Sequence, residues 1–304
     1  MMNEIIQFSK TLLPHQQFDA LAVGIIDFKT KQFECAEITN FENQLTVNKD
    51  PVLFFDLASV TKPLTNSLSY FLDPKNFTAE MILCLNHRAG LPAWGLLPHT
   101  GWEEIIKSYS IKESETLYSD YSALRVMLDY EQKSSQNMKS LCQKVWDKNV
   151  MNWLDLPSWV PTPECGVRNG HPIFSEVHDP NAYTIGKFCS HAGLFGTVQG
   201  VAQTLLNYQE SSDFIGQVSA DLKKHSHRFS FGWDRVVNPQ ETLAGKGCHE
   251  GSFGHLGFTG TSIWIDPILG RAHIILANGT KKYWYDKAGL NEIRRGIGEL
   301  VWVK

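Results

Sequence analysis

Ser59 and Lys62 stand three residues apart in the run Phe54-Phe55-Asp56-Leu57-Ala58-Ser59-Val60-Thr61-Lys62-Pro63-Leu64-Thr65. Residues at that spacing share a helix face, so the hydroxyl and the amine can meet. A serine needs a base to take its proton at neutral pH, and a neighbouring amine serves if its own pKa is depressed. The positive end of a helix dipole and burial beside Phe54-Phe55 both push Lys62 in that direction. This is the Ser-x-x-Lys spacing of acyl-transfer chemistry, and it occurs once in the chain. The competing reading is a helix-capping serine followed by a solvated lysine.

Two further groups could complete such a site. Tyr118-Ser119-Asp120 precedes a helical pattern; a phenol beside an ammonium can shuttle protons, and Asp120 can hold the lysine in place. The plain alternative is Asp120 as cap of a helix from 122 to 131, with Tyr118 as a core aromatic. Phe253-Gly254-His255-Leu256-Gly257-Phe258-Thr259-Gly260-Thr261 reads as a strand whose small residues let a substrate carbonyl approach backbone amides. His255 there would offer a polar or cationic group. The tripeptide His-x-Gly recurs at 191–193 and 249–251, and only its strand setting selects 255.

Elements able to bring these segments together can be read from the apolar pattern. Residues 21–28 and 32–38 form a hairpin, 41–52 a polar loop, and the Ser59 helix runs to about Leu72, where Asp73-Pro74 ends it. Helical patches follow at 79–85, 102–108, 122–131, 138–146 and 198–208, with a long loop over 157–183. Strands return at 231–237, 253–258, 261–265 and 271–277, and 286–303 is an amphipathic helix. The N-terminus places Ile5, Phe8 and Leu12 on one helix face. The expected fold class is α+β: a mostly antiparallel sheet from 1–72 and 231–304, flanked by helices, with a mainly helical insertion over 73–230.

A length of 304 residues, 42% of them hydrophobic, supports one large core or two lobes sharing an interface. The net charge of −4 gives no basic surplus for nucleic acid, and no apolar run approaches a membrane span. The first 17 residues lack the uninterrupted apolar centre of a signal peptide. Six scattered cysteines show no C-x-x-C, as suits reduced thiols, so a cytoplasmic protein is expected. His178, Asp179, Cys189 and His191, or His225-x-His227 and Cys248-His249, lack the paired spacing of a zinc site, and turn-stabilising roles fit them better. No phosphate-binding or dinucleotide fingerprint is present. No cofactor is called for, and the expected partner is a small-molecule substrate.

Taken in order, Ser59-x-x-Lys62, Tyr118-x-Asp120 and His255-x-Gly257 resemble the serine β-lactamase and penicillin-binding-protein-like hydrolases, nearest the class C-like branch with its esterases, D-amino-acid peptidases and amidases. Asn86-His87-Arg88-Ala89-Gly90-Leu91-Pro92 resembles that family's T-H-x-S-G-L-P turn, and residues 176–182 and 190–196 resemble its V-H-D-x-N-A and G-H-A-G-L-F segments. The resemblance covers residues 20–300 and implies a β-lactamase/transpeptidase-like fold. It implies Ser59 as nucleophile, Lys62 as its activating partner and Tyr118 as proton shuttle. Asp120, His255, Gly257 and Phe258 would then contact substrate, with the N–H groups of Ser59 and Phe258 as oxyanion hole. Asp120 stands where many members have Asn, which would raise the Lys62 pKa. His255 replaces the lysine of the drug-resistance enzymes, which weakens an anchor for a β-lactam carboxylate. The function expected is cleavage of an amide or ester through an acyl-enzyme, on a small peptide-like or muropeptide-derived substrate. A carboxylesterase on small acyl esters is the near alternative. A non-catalytic binding protein that keeps the fold is the distant one.

Overall fold

The computed structural model describes residues 1–282 and 286–303. An eight-stranded sheet dominates it, in the order Gln44–Asn48, Gln32–Phe41, Ala20–Asp27, Arg271–Ala277, Ser262–Asp266, Phe253–Leu256, Trp233–Arg235 and Phe229–Ser230. Every neighbouring pair is antiparallel. The chain's two ends meet in the middle, where Val23 lies opposite Ile275. That pairing is why strands near residue 20 and near residue 275 read as unbroken apolar runs: both faces of the central strands are covered.

Successive side chains on a strand point to opposite faces, and the two cores follow that alternation. Ala20, Ala22, Ile274 and Leu276 face the helical layer, which includes Leu64, Leu68, Val201 and Leu205. Leu21, Val23, Ile275 and Ala277 face the other way, onto the helices Met2–Leu12 and Ala288–Trp302 through Ile5, Ile293, Ile297 and Val301.

The helices expected at 79–85 and 102–108 have those bounds. The helix expected at 122–131 spans Asp120–Ser134, and Ser119 rather than Asp120 is its cap, accepting from the Ser122 amide. The expected polar loop 41–52 contains the strand Gln44–Asn48; as an outer strand it buries too little for its alternation to show. The helix expected at 138–146 stops at Cys142. The first late strand is two short ones split by Phe231 and Gly232, both at positive φ. A three-stranded sheet of Phe55–Asp56, Leu194–Gly196 and Val150–Asn152 was not foreseen, nor was the helix Phe214–Leu222. The long loop 157–183 carries a two-stranded hairpin, Val167–Arg168 with His171–Pro172, and the start of the helix Pro180–Ile185. Among the described residues no helix is long and apolar enough to cross a membrane.

Candidate active site

Ser59 sits where the short strand Phe55–Asp56 turns into a helix that continues to Leu72. The turn is tight: Ala58, immediately before the serine, has φ +46°, a left-handed conformation that costs a residue with a Cβ about 1–2 kcal/mol. Asp56 holds it there. One carboxylate oxygen accepts from the Ala58 amide at 2.7 Å and the other from the His178 amide at 2.7 Å. Burial pushes the Asp56 pKa up to about 6 against the pull of these two amides. Beyond Lys62 the helix widens into a π segment, Pro63–Ser67, of the kind that collects at functional sites.

Lys62 is buried, and several groups converge on its ammonium. It donates to Ser59 Oγ at 2.9 Å and to the His191 carbonyl at 3.0 Å, and it pairs with Asp120 Oδ1 at 2.7 Å. Burial alone would lower its pKa, but the Asp120 carboxylate and Tyr118 outweigh that and hold it above the ordinary lysine value. The depressed lysine expected from the helix dipole and burial is therefore corrected, and the effect expected of Asp120 prevails. Tyr118 lies against this ammonium, with its ring centroid 5.0 Å from Nζ and its phenol hydrogen-bonded to both Lys62 and Ser59. Burial keeps the phenol protonated, since its pKa is raised despite the nearby cation.

Three sequence segments pin these groups. His87 accepts from the Ser119 amide at 3.1 Å and packs its ring on Tyr118 at 4.6 Å, so the Asn86–Pro92 turn sets the phenol's position. The 190–194 segment clasps the Ser59 helix: Thr65 donates to the Ser190 carbonyl, the Leu194 amide donates to Thr61, and the Leu57 amide donates to the Leu194 carbonyl. The 177–182 segment ties the cleft wall together. Asp179 bonds the His191 ring at 3.0 Å and caps the Pro180 helix, while Asn181 fixes the backbone at Gly95 and Leu97. Burial disfavours the charged imidazole of His191, yet Asp179 raises its pKa to about 10. Burial likewise raises Asp179, and His191 more than offsets it, leaving about 2.

The strand bearing His255 is drawn onto the turn before Ser59. Thr259 and Thr261 donate to the carbonyls of Asp56 and Leu57, at 2.7 and 2.9 Å. A Cβ on Gly257 would meet the Leu57 carbonyl at 2.7 Å, so only glycine permits the approach. From the other side Lys287 donates to the Phe258 carbonyl at 2.6 Å and Arg294 to the Thr261 carbonyl at 2.8 Å. Sequence reading missed Lys287, Arg294 and Asp56, because each acts across more than a hundred residues or through backbone atoms. His255 is buried behind Tyr118, with ring centroids 5.9 Å apart, and bonds the Leu256 carbonyl. Burial and the Lys62 charge lower its pKa to about 3, so it is neutral and the cationic role is corrected.

Over Ser59 opens a cleft of about 750 Å³. Ser59, Tyr118, Asp120, Asp179 and Phe258 line it, with Trp94, Val167 and Ile173 forming an apolar mouth. The zinc fragments set aside in the sequence are occupied by protein contacts: His225 bonds Asp221 and His249 bonds Asp266. Asp120, Asp179 and His191 approach one another, but Lys62 and the His191–Asp179 pair already fill those ligand positions.

No family model matches the chain. A putative D-alanyl-D-alanine carboxypeptidase of Salmonella enteritidis PT4 is 33% identical over 117 residues, covering 35% of this chain and 27% of that protein. An N-acetylmuramyl-L-alanine amidase of Bacillus subtilis is 35% identical over 115 residues, 34% of this chain and 26% of its own. The chain thus matches about a quarter of the length of these curated relatives. Among solved structures, a β-lactamase/D-alanine carboxypeptidase from Pseudomonas syringae superposes with TM-score 0.69 over 99% of both chains at 10% identity. A β-lactamase from Mycobacterium bovis gives 0.55 over 96% of this chain and 97% of its own at 15% identity.

Proposed function

We propose that this chain, whose fold is that of the β-lactamases and D-alanine carboxypeptidases, is a serine hydrolase that cleaves a small peptide-like amide through an acyl-enzyme. The observation that carries the reading is the contact of Lys62 with Ser59 at 2.9 Å, where Ser59 lines an open cleft. Ser59 Oγ attacks the substrate carbonyl carbon. The amides of Ser59 and Phe258 receive the developing oxyanion, a contribution whose loss typically costs about 10²–10³ in rate. Tyr118 passes a proton to the leaving nitrogen and later takes one from the water that releases the acid.

The names of the relatives, a putative D-alanyl-D-alanine carboxypeptidase and an N-acetylmuramyl-L-alanine amidase, support a muropeptide-derived substrate. The neutral His255 offers no cation for a β-lactam carboxylate, which argues against β-lactam hydrolysis as the main activity. The apolar mouth of Trp94, Val167 and Ile173 favours a carboxylesterase as the second reading. A panel of D-Ala-D-Ala peptides, muropeptides and short-chain nitrophenyl esters, run on the unaltered protein and on Ser59→Ala, separates the two. Turnover of peptides or muropeptides that disappears with Ser59→Ala is expected. Ester turnover alone would select the esterase, and turnover that survives the substitution would remove Ser59 from the chemistry.

A further inference from the structure

We propose that Asp120 is the proton acceptor that activates Ser59, working through Lys62. The inference rests on the serine-hydrolase reading above and adds to it where the serine proton goes.

Lys62 is an ammonium whose Nζ lies within 3.0 Å of Asp120 Oδ1, the His191 carbonyl and Ser59 Oγ, with the Tyr118 phenol also against it, so as it stands it has no lone pair with which to act as a base. The other candidates fail on contact or on charge. His87 and His255 pack against the Tyr118 ring rather than against Ser59. Tyr118 is held as the phenol. The second carboxylate nearby, Asp179, is bonded to the His191 ring at 3.0 Å. Among the described residues Asp120 alone is a carboxylate in direct contact with the ammonium that touches Ser59, and it also lines the cleft.

The step balances with no outside reagent. One Lys62 N–H bond breaks as its proton moves to Asp120 Oδ1, forming an O–H bond. The freed nitrogen lone pair takes the Ser59 Oγ proton. The Oγ electron pair forms the bond to the substrate carbonyl carbon, and the carbonyl π pair moves onto its oxygen. Lys62 begins and ends as an ammonium, and the net change is one proton moved from Ser59 to Asp120. On collapse of the intermediate that proton returns through Lys62 and Tyr118 to the leaving group. Substrate binding favours the transfer, because expelling water from the cleft weakens the solvation that keeps the two charges apart.

The groups facing Asp120 are Lys62, Tyr118, Asp179 and His191, with His178 and Arg168 elsewhere on the cleft wall. His191 stays protonated across the neutral range through Asp179. The pH dependence of acylation near neutrality therefore reports the Asp120–Lys62 pair. In the unaltered protein the relay starts from the Asp120–Lys62 contact with Lys62 charged, so the rate is expected to stay level from about pH 6 to about pH 9. In Asp120→Asn, Lys62 must itself be neutral to act, so the rate climbs about tenfold per pH unit over that range and is about 10²–10³ lower at neutrality.

The experiment measures the rate of Ser59 adduct formation with a fluorophosphonate by intact-protein mass spectrometry across that pH range, for the unaltered protein and Asp120→Asn. Asp120→Gly with added formate is the second variant, and formate is expected to restore the level profile. Ser59 adducts with the sloping profile in Asp120→Asn, or formate rescue of Asp120→Gly, support the relay. Adducts in all proteins with one shared level profile, and no response to formate, overturn the relay and leave the hydrolase reading intact. No Ser59 adduct in the unaltered protein overturns both.

Discussion

At the scale of single residues, the site is a balance of charges in which each group holds its neighbour's protonation state. Lys62 is charged because Asp120 touches it, and Tyr118 is a phenol because it is buried. Replacing Lys62 by Ala removes the group that links Ser59 to Asp120, and acylation is expected to fall by about 10²–10⁴ in a stopped-flow or mass-spectrometric assay. The His191–Asp179 pair gives a second prediction, about stability. His191 titrates near 6.5 in the unfolded chain and near 10 in the folded one, so its contribution is complete below about pH 6.5 and is lost as pH rises through 10. Asp179 falls from 3.8 to about 2 on folding, so its share is present above 3.8 and is lost as pH falls through 2. Thermal melts should therefore show the largest benefit of the pair between those limits. Asp179→Asn, which leaves His191 buried without its partner, should cost about 3–5 kcal/mol there and progressively less toward pH 10. A cost that does not change with pH would contradict the pairing. That Ser59, Lys62 and Tyr118 would meet was legible in the sequence, because each lies in a short segment with its own spacing rule. The lysine's protonation state was legible only as two opposed arguments, burial and Asp120, and geometry decided between them.

At the scale of elements, the Ser59 turn and the His255 strand form one unit. Asp56 sets the left-handed Ala58, and the Thr259 and Thr261 hydroxyls bond the carbonyls of Asp56 and Leu57. Asp56→Ala leaves the Ala58 and His178 amides without their acceptor. It is expected to destabilise the fold by about 1–3 kcal/mol and to reduce acylation more than it reduces binding of a product-like inhibitor. Equal losses in both would assign Asp56 to folding alone. Gly257→Ala drives a Cβ into the Leu57 carbonyl and the Thr261 hydroxyl, so the two segments must separate. Loss of acylation in a protein that still melts cooperatively is the expected result. The sequence showed the glycines and threonines of this strand but not what they approach, because the partner is backbone some two hundred residues away. It also hid the strand Gln44–Asn48, an outer strand with little burial, and the small sheet at 55–56, 150–152 and 194–196, whose strands have two or three residues each.

At the scale of the whole molecule, the sheet is a partition. One face carries the helical layer with Ser59, and the other is covered by the helices Met2–Leu12 and Ala288–Trp302. The last helix does more than cover. Lys287 and Arg294 donate into the 257–261 turn that borders the cleft. Ile297, fully buried on that helix, should cost about 2–5 kcal/mol when cut to Ala, while acylation per folded molecule stays unchanged. Arg294→Met, which keeps much of the apolar stem but not the donors, should lower acylation as well. The α+β layout and mostly antiparallel sheet were legible here because the central strands are buried on both faces and the terminal helices have clear apolar stripes. Several element ends inside the middle segment were not, such as those of Met138–Cys142 and Val198–Ser212, since loops rich in Pro, Gly and Trp carry little periodicity.

The central claim is that a hydroxyl at position 59 is made nucleophilic by the lysine one turn away. Intact-mass analysis after exposure to a penicillin or a fluorophosphonate, with peptide mapping of the adduct, tests it most directly. A single mass increment that maps to Ser59 and is absent from Ser59→Ala is the result this account requires. An unmodified protein under conditions that label related hydrolases, or an adduct on another residue that persists in Ser59→Ala, would contradict it.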